Sequence, residues 1–258
     1  MSKIGSPLFI LRNECQKDLP SVIGKLADIG FEGIEFLGFF GHKPYEIKKM
    51  LDSCGISAIG DHVSFNEFAT NTDKVIAEHQ ELGCKYITIG GPEADGFPGR
   101  NSYNNTLKSL ELIGEAMNKA GMTLLYHNHA DELRNTYNGK SFLENIMDDT
   151  KPDLLSLEPD LGWIQIGGGD PMHYLTKYEN RCPVVHFKDF IPGGENGFLF
   201  RPTGYGVVDN SMLYAKTRTF LKLPEWYIMD HDCSYDRDIY FDLKISFEYF
   251  KNLTTVSE

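Results

Sequence analysis

Four short apolar runs in the sequence each end in side chains that bind metal ions or transfer protons. They cover residues 124–129, 154–160, 184–189 and 226–232, and read LLYHNH, LLSLEPD, VVHFKD and WYIMDHD. Each run has the length and composition of a buried strand. Parallel strands that close around one axis bring their carboxyl ends together, and a divalent cation there offsets the repulsion between grouped carboxylates. The runs therefore predict one metal-dependent site at the end of a barrel.

Four side chains at similar depths on the last four strands form the predicted metal-ligand set. They are His127, Asp160, His186 and Asp230. Two imidazoles and two carboxylates suit Mn, Co, Zn, Fe or Mg better than copper. Each histidine alone is also compatible with a hydrogen-bonded interior residue. Together, the four predict one divalent metal ion (Mn, Co, Zn or Mg), since uncompensated buried carboxylates on neighbouring strands would repel.

Four further residues are candidates for the catalytic step. Residues two apart on a strand share a face, so His129 and Glu158 each lie beside a predicted ligand. Three roles are open for Glu158: a metal ligand, a hydrogen-bond acceptor behind a ligand, or a general base. Glu132, just past the fifth strand, either reaches the same pocket or is an exposed loop acid. Lys188 either binds a substrate oxygen and stabilises an enediolate, or forms a structural ion pair with a carboxylate of the pocket.

Three residues near the expected mouth of the barrel are candidates for substrate binding. Glu35 ends the second strand and His62 ends the third, so both are expected to point toward the mouth. A salt-bridged position on the rim is the alternative for Glu35. Trp163 follows the sixth strand, and its indole either stacks on a sugar ring or caps the barrel.

The elements that must position these residues alternate between strand and helix. Apolar runs from residues 8–11 to residues 225–232 are separated by helical patterns with apolar spacings of three and four. Eight such units in 258 residues predict an α/β fold, a (β/α)8 TIM barrel forming a single domain over residues 1–258. A doubly wound sheet is less favoured, because no GxGxxG turn follows the first strand. Residues 190–208, rich in Gly and Pro, are expected to form a long loop.

Composition argues against two classes of partner. The chain has 25 basic and 37 acidic residues, a net charge of −12 and no Lys/Arg cluster, which is unlike a nucleic-acid-binding protein. No stretch approaches the roughly 20 apolar residues that span a bilayer. The five cysteines are scattered and lack CxxC spacing, which is typical of reduced thiols. We therefore expect a cytoplasmic protein without a nucleic-acid or membrane partner.

Seven segments, in order along most of the chain, resemble the xylose-isomerase-like barrels known as sugar phosphate isomerases/epimerases. They are 30–41, 60–65, 126–132, 157–171, 184–189, 204–209 and 225–234. The resemblance implies one divalent metal at the mouth of a TIM barrel, bound in better-studied epimerases by Glu, Asp, His and Glu. Asp160 and His186 match the middle pair. Asp230 stands where Glu is usual, and His127 where the first Glu is expected.

The resemblance implies proton transfer next to a carbonyl group of a keto-sugar or cyclitol, and hence a metal-dependent sugar isomerase or epimerase. Epimerases of this kind use two carboxylates on opposite sides of the substrate, and this sequence lacks both at the usual positions. Glu158 and Glu132 are the possible replacements. The YHNH segment (126–129) also resembles inosose dehydratases and enzymes that cleave 3-keto-glycosides. A metal-dependent lyase is therefore a close alternative.

Two other classes are less favoured. An abasic-site endonuclease on the same fold would be expected to carry more metal ligands and a basic face, which the charge of −12 argues against. A non-catalytic sugar-binding module would not need the predicted ligand set. Barrels of this family often pair, so the resemblance is compatible with a homo-oligomer.

Overall fold

The computed structural model describes residues 2–235 and 237–256, and its centre is a parallel β-barrel. The strands are β1 (Lys3–Pro7), β2 (Gly33–Phe36), β3 (Ser57–His62), β4 (Tyr86–Ile89), β5 (Thr123–His127), β6 (Thr136–Tyr137), β7 (Lys140–Ser141), β8 (Ser156–Glu158), β9 (Val184–Phe187), β10 (Asp189–Pro192), β11 (Phe198–Arg201) and β12 (Trp226–Met229). The helices are α1 (Arg12–Ile29), α2 (Pro44–Cys54), α3 (Phe65–Thr70), α4 (Thr72–Leu82), α5 (Tyr103–Lys119), α6 (Asp131–Arg134), α7 (Phe142–Asp149), α8 (Leu161–Ile166), α9 (Pro171–Lys177), α10 (Asn210–Thr217) and α11 (Ile239–Val256).

Eight strands form one sheet in the order β8-β5-β4-β3-β2-β1-β12-β9, and the paired strands run parallel. The two ends of this sheet meet through a bridge between Asp160 and His186. There the amide of His186 donates to the carbonyl of Pro159 at 3.0 Å. Helices follow the strands and cover the outside of the sheet. The predicted (β/α)8 TIM barrel is therefore confirmed.

Large apolar side chains fill the barrel interior at the amino ends of the strands. The cluster consists of Ile59, Tyr86, Leu125, Val184, Trp226 and Ile228. Gly33 makes room for the indole of Trp226, because a Cβ on Gly33 would lie 2.6 Å from two of its ring carbons. This packing closes one end of the barrel, so a ligand is expected at the other end, where the strands finish.

The helices turn an apolar face toward the barrel. In α5 the buried residues Leu110, Ile113 and Met117 follow one another at spacings of three and four. The chain leaves α1 at Gly30, whose φ of 114° is a left-handed conformation that glycine adopts without a steric penalty. Within residues 2–235 and 237–256, no helix is both long and apolar enough to cross a membrane.

The position of the first strand corrects the sequence-based prediction. A strand is predicted at residues 8–11, but β1 spans Lys3–Pro7, and residues 8–11 form the turn that leads into α1. Leu8 and Leu11 are fully buried in the core between barrel and helices. The prediction is wrong because these apolar residues mark burial in a turn, whereas β1 itself is poor in large apolar residues.

The segment 190–208 also differs from the predicted long loop. β10 and β11 pair in an antiparallel hairpin at the end of β9. The buried carboxylate of Asp189 then holds the following turn, accepting hydrogen bonds of 2.9–3.0 Å from three backbone amides within residues 204–208. Gly204 and Gly206 therefore belong to a compact turn whose backbone amides surround the carboxylate of Asp189.

Candidate metal centre and active site

A cavity of about 160 Å³ opens at the carboxyl ends of the barrel strands. One wall is apolar and comes from β1, β2 and the residues after them, whereas the rest consists of imidazoles, carboxylates, one ammonium and one indole. The lining residues are Pro7, Phe9, Glu35, Phe36, Leu37, His62, His127, His129, Trp163, His186, Lys188, Asp230 and Asp232. Pockets for drug-sized ligands start at about 300 Å³, so this cavity has room for one small ring.

Eight of the eleven predicted site residues line this cavity. They are Glu35, His62, His127, His129, Trp163, His186, Lys188 and Asp230. Glu158 and Asp160 are fully buried directly behind the lining, where Glu158 contacts His62 and Asp160 contacts Lys188. The strand ends thus bring together ten of the predicted residues, and Glu132 is the one that lies elsewhere.

Glu132 is buried outside the cavity lining. Its carboxylate accepts hydrogen bonds from the backbone amide of His129 at 3.0 Å and from the hydroxyl of Tyr126 at 3.4 Å. Burial raises the pKa of this carboxyl above its ordinary value, although these hydrogen bonds lower it. Glu132 is therefore a buried carboxyl and not an exposed loop acid, and its role as a replacement base stays a prediction.

Four side chains at the floor of the cavity, which we call the histidine half, point polar atoms at one another: Glu35, His62, Glu158 and His186. The Oε2 atom of Glu35 lies 3.1 Å from Nε2 of His62 and 3.1 Å from Nε2 of His186. The Oε2 atom of Glu158 lies 3.2 Å and 3.6 Å from the same two nitrogens. Neither nitrogen forms a hydrogen bond with any residue that the structure describes.

Beside these residues lies the lysine half, which consists of Asp160, Lys188, Asp230 and Asp232. The Nζ atom of Lys188 lies 2.9 Å from Asp160, 3.0 Å from Asp230 and 2.8 Å from Asp232. The ammonium donates a hydrogen bond to Asp232, whereas Asp160 and Asp230 lie within ion-pair distance of it. The Lys188 side chain is only 1% exposed, and the structure thus contains the ion pair considered for this residue.

Two imidazoles connect the halves. Nδ1 of His186 lies 3.0 Å from Oδ2 of Asp230, while its Nε2 faces the histidine half. Nδ1 of His127 lies 3.2 Å from Oε2 of Glu158, and its Nε2 lies 3.9 Å from Oδ2 of Asp160. Each ring therefore has one nitrogen directed at a carboxylate of each half.

The electrostatics of the histidine half follow from burial and from its own pairs. Burial raises the pKa of Glu35, but the imidazoles of His186 and His62 outweigh burial and hold that pKa well below its usual range. Burial lowers the pKa of His62, but the negative charges of Glu35 and Glu158 raise it to about 10. Burial and the charge of Glu35 together raise the pKa of Glu158 to about 7. The carboxylates of this half therefore pair with imidazoles whose positive charge they stabilise.

In the lysine half the positive charge belongs to the chain. Burial lowers the pKa of Lys188, but the three carboxylates outweigh it and raise the pKa above its ordinary value. Burial raises the pKa of Asp160 to about 7, although Lys188 acts in the opposite direction. Lys188 is therefore a fixed cation and not a proton acceptor.

The donor atoms at this site fit a divalent metal ion. Two overlapping groups have ligand atoms that all lie within 4.8 Å of one another. The first is His62, His127, Glu158 and His186, and the second is the predicted set His127, Asp160, His186 and Asp230. For metal–ligand distances of about 2.0–2.2 Å, ligand atoms lie roughly 3.0–3.5 Å from one another. Nε2 of His62 and His186, Oδ2 of Asp160 and Oδ1 of Asp230 are buried atoms that make no hydrogen bond with any described residue, so both groups have donor atoms open to a metal.

Trp163 joins the cavity to the β10–β11 hairpin. The centroid of its ring system lies 5.5 Å from that of Phe198 and 5.4 Å from that of Phe200, both on the hairpin. On its other side, the ring lies 5.9 Å from His129 and 5.1 Å from Nζ of Lys188. Trp163 thus forms part of the cavity wall and packs on the hairpin, and stacking of its indole on a sugar ring stays a prediction.

Two features of the cavity were missing from the sequence-based site. The apolar wall includes Pro7, Phe9 and Leu37, which follow β1 and β2. Misplacing the first strand concealed the first two of these. Asp232 contacts Lys188, and the signal for it was available, because Asp232 shares a strand face with Asp230.

Comparison with known proteins gives one family and a consistent fold. A family model described as "Xylose isomerase-like TIM barrel" matches residues 23–216. A solved sugar phosphate isomerase/epimerase from Parabacteroides distasonis ATCC 8503 superposes with a TM-score of 0.80 at 20% identity, covering 97% of this chain and 98% of that chain. At this identity the structural likeness shows the fold alone.

Curated relatives share part of the sequence. An inosose dehydratase from Geobacillus kaustophilus (strain HTA426) is 27% identical over 190 residues, which are 65% of this chain and 61% of that protein. An inosose dehydratase from Bacillus cereus (strain AH820) is 34% identical over 189 residues, which are 65% of this chain and 62% of that protein. The match thus spans less than two thirds of the length of either relative.

Proposed function

The chain belongs to the xylose isomerase-like TIM barrel family, and we propose that it is a sugar-modifying enzyme. Its reaction would begin with removal of the proton next to a carbonyl group of a sugar or cyclitol. The observation that carries the proposal is the buried cluster of imidazoles and carboxylates at the floor of the cavity. Such a cluster is costly to bury unless positive charge compensates it.

We propose that this cluster holds one divalent metal ion of the Mn, Co, Zn or Mg class. His127 and His186 belong to both possible ligand groups, and the remaining ligands come from Glu158 and His62 or from Asp160 and Asp230. A metal bound here would polarise the substrate carbonyl and acidify the neighbouring C–H bond.

The chain's own residues would move the proton. His129 lines the cavity at its mouth, and desolvation with the nearby charge of Lys188 lowers the pKa of its imidazole, so the ring is neutral and can accept a proton. Asp232, on another side of the cavity, is the most exposed carboxylate of the lysine half and is placed to return a proton. Lys188 positions Asp232 and does not itself transfer a proton.

Elimination of water is the outcome we favour after this first step. The curated relatives are inosose dehydratases by name, and the similarity in sequence supports the same class of reaction here. Isomerisation or epimerisation is the second candidate. It is supported by the presence of proton-transferring groups on two sides of the cavity, since return of the proton from the other side would invert the carbon.

The substrate class we propose is an uncharged ring carrying hydroxyl groups. Lys188 is the one lysine or arginine among the described lining residues, and its ammonium already pairs with three carboxylates, while the imidazoles of His62 and His186 pair with Glu35. A phosphate group would meet Glu35, Asp230 and Asp232 without a free cation to bind it. The apolar wall of Phe9 and Leu37 suits the C–H face of such a ring.

The test is proton exchange in deuterated water. The metal-loaded protein is incubated with inososes, ketoses and 3-keto-glycosides, and products are followed by NMR. We expect deuterium at the carbon next to the carbonyl, with loss of water from an inosose, and a fall in turnover of about 10²–10⁴-fold in His129→Gln. A metal-loaded protein that exchanges no proton in any of the three classes would contradict the proposal.

A further inference from the structure

We infer that a second binding site, which we call the outer groove, adjoins the cavity and takes a second ring joined to the reacting ring. The second ring is uncharged and hydroxylated, so the substrate is a molecule of two linked rings. The inference rests on the proposed function, because the reacting ring must occupy the cavity described above.

The outer groove shares a wall with the cavity. It has a volume of about 310 Å³ and is lined by His129, Ala130, Asp131, Arg134, Trp163, Asn196 and Phe198. His129 and Trp163 also line the cavity itself, and the centroids of their rings lie 5.9 Å apart. A substituent on a ring in the cavity can therefore pass these two side chains and enter the groove.

The sizes of the two spaces differ in a way that favours a two-ring ligand. The cavity, at about 160 Å³, has room for one small ring, and a larger molecule must extend beyond it. The outer groove reaches the lower end of the roughly 300–1,000 Å³ that is typical of small-molecule sites. A second ring therefore has space in the groove and no space in the cavity.

The polar side chains of the groove fit a neutral ring better than an ion. Nη1 of Arg134 lies 3.5 Å from Oδ1 of Asp131, so the two formal charges balance. A guanidinium has five N–H donors, and Arg134 therefore keeps donors for a ligand beside this ion pair. The side-chain amide of Asn196 forms no hydrogen bond within residues 2–235 and 237–256, so it can both donate to hydroxyl groups and accept from them.

Aromatic rings on the hairpin complete the groove and hold its shape. Phe198 lies edge-on to Trp163, with ring centroids 5.5 Å apart and an angle of 83° between the ring planes. The turn that carries Asn196 is closed by the amide of Gly193, which donates to the carbonyl of Gly197 at 3.2 Å. Apolar rings with a few fixed polar groups are the usual lining of a preformed small-molecule site.

The experiment measures binding of sugars that have no ketone, so that affinity is determined without turnover. Full-length protein, with and without Mn²⁺, is titrated by calorimetry with methyl glucosides, with glucose disaccharides of α and β linkage, and with glucose 6-phosphate. Asn196→Trp fills the groove from an exposed turn. Glu195→Trp is the matched control, because Glu195 is exposed in the same turn and lines neither the cavity nor the groove.

We expect at least one disaccharide to bind the wild type about 10–100-fold more tightly than a methyl glucoside, because a second ring is buried. This ratio should fall to about threefold or less in Asn196→Trp and stay within about threefold of the wild-type ratio in Glu195→Trp. Circular dichroism establishes that each variant folds. If Asn196→Trp does not fold, Arg134→Met replaces it, with a ratio lower by about 3–10-fold through loss of hydrogen bonds.

Several results would overturn the inference: equal affinity for one-ring and two-ring sugars, no binding of either, or an equal fall of the ratio in both tryptophan variants. Tighter binding of glucose 6-phosphate than of every disaccharide would do the same, since the groove would then bind anions. Turnover of one-ring ketones without a preference for two-ring sugars would overturn the inference alone. The expected preference, without deuterium exchange in any substrate class, would support the inference and overturn the proposed reaction alone.

Discussion

The two halves of the cavity floor are similar in burial and in acidity, yet they differ in where their positive charge comes from. In the lysine half, one ammonium lies within 3.0 Å of each of three carboxylates. In the histidine half, two glutamates face imidazole nitrogens that have no other partner among the described residues. The positive charge of the lysine half is therefore permanent, whereas that of the histidine half depends on protonation of its imidazoles.

A single strand produces this division. His186 and Lys188 lie two residues apart, at the end of β9, and share a face. The shorter imidazole reaches the histidine half, and the longer lysine side chain reaches the carboxylates that follow β8 and β12. Adjacent inward-facing positions at the end of one strand thus supply the imidazole of the histidine half and the ammonium of the lysine half.

Removing the permanent cation should have the largest effect. Lys188→Met leaves Asp160, Asp230 and Asp232 without their partner, and loss of one member of a buried ion pair costs about 3–5 kcal/mol. We expect that loss in the free energy of unfolding of the metal-free protein, measured by urea denaturation. Lys177→Met is the control, because Lys177 pairs with two carboxylates but is 30% exposed. An equal loss in both variants would mean that the lysine half is not buried in the way described.

Adding a divalent metal ion should stabilise only a chain that keeps the imidazole ligands shared by both candidate groups. At a free metal concentration about 100 times the dissociation constant, binding to the folded state contributes about 2.7 kcal/mol. We expect this gain in the wild type and in Lys177→Met, but not in His186→Gln, because His186 belongs to both groups. The rise in melting temperature between chelator-treated and metal-loaded protein measures it. A rise that persists in His186→Gln would contradict metal binding at this site.

A smaller effect is expected from the support of the histidine half. The hydroxyl of Thr88, fully buried on β4, donates to Oε1 of Glu158 at 3.2 Å. Thr88→Val removes this hydrogen bond to a buried carboxylate, at a cost of about 1.5 kcal/mol in the free energy of unfolding. Metal affinity should fall as well, because Glu158 loses a contact that orients it. Unchanged stability with unchanged affinity would show that Glu158 is positioned by its imidazole partners alone.

The smallest effect concerns a buried imidazole outside both halves. His79 uses both ring nitrogens, with Nδ1 2.6 Å from the carbonyl of Val75 and Nε2 2.9 Å from Asp61. Burial lowers the pKa of His79, but the hydrogen bond and charge of Asp61 raise it above its ordinary value. Its stabilising effect is therefore complete below the unfolded-state pKa of about 6.5 and disappears as pH rises through the raised value.

The corresponding measurement is the difference in unfolding free energy between wild type and His79→Gln. We expect a larger difference at pH 6 than at pH 9, and no change on adding metal, since neither nitrogen of His79 is free. A metal-dependent difference would remove the distinction between this imidazole and those of the histidine half.

Periodicity in the sequence located the strand ends and the faces of their side chains, which explains why ten of the predicted residues meet at one cavity. It does not encode distances between side chains. It therefore could not predict that Glu35 and Glu158 face the imidazoles of His62 and His186, whereas Asp160 and Asp230 pair with Lys188. The reach of Lys188 to three carboxylates depends on how the last strands close the barrel. β1 was misplaced because its short sequence, KIGSP, owes its burial to its neighbours and contains little apolar surface of its own.

The seam of the barrel runs through the same site. One bridge, with the amide of His186 donating to the carbonyl of Pro159, joins the two edges of the sheet. A metal ion bound by His186 on one edge and by Glu158 or Asp160 on the other would act as a clasp across this seam. Native-state hydrogen exchange at the His186 amide would then slow when the site is occupied. The exchange rate of this single amide would therefore measure how much a bound ion stabilises the closed barrel.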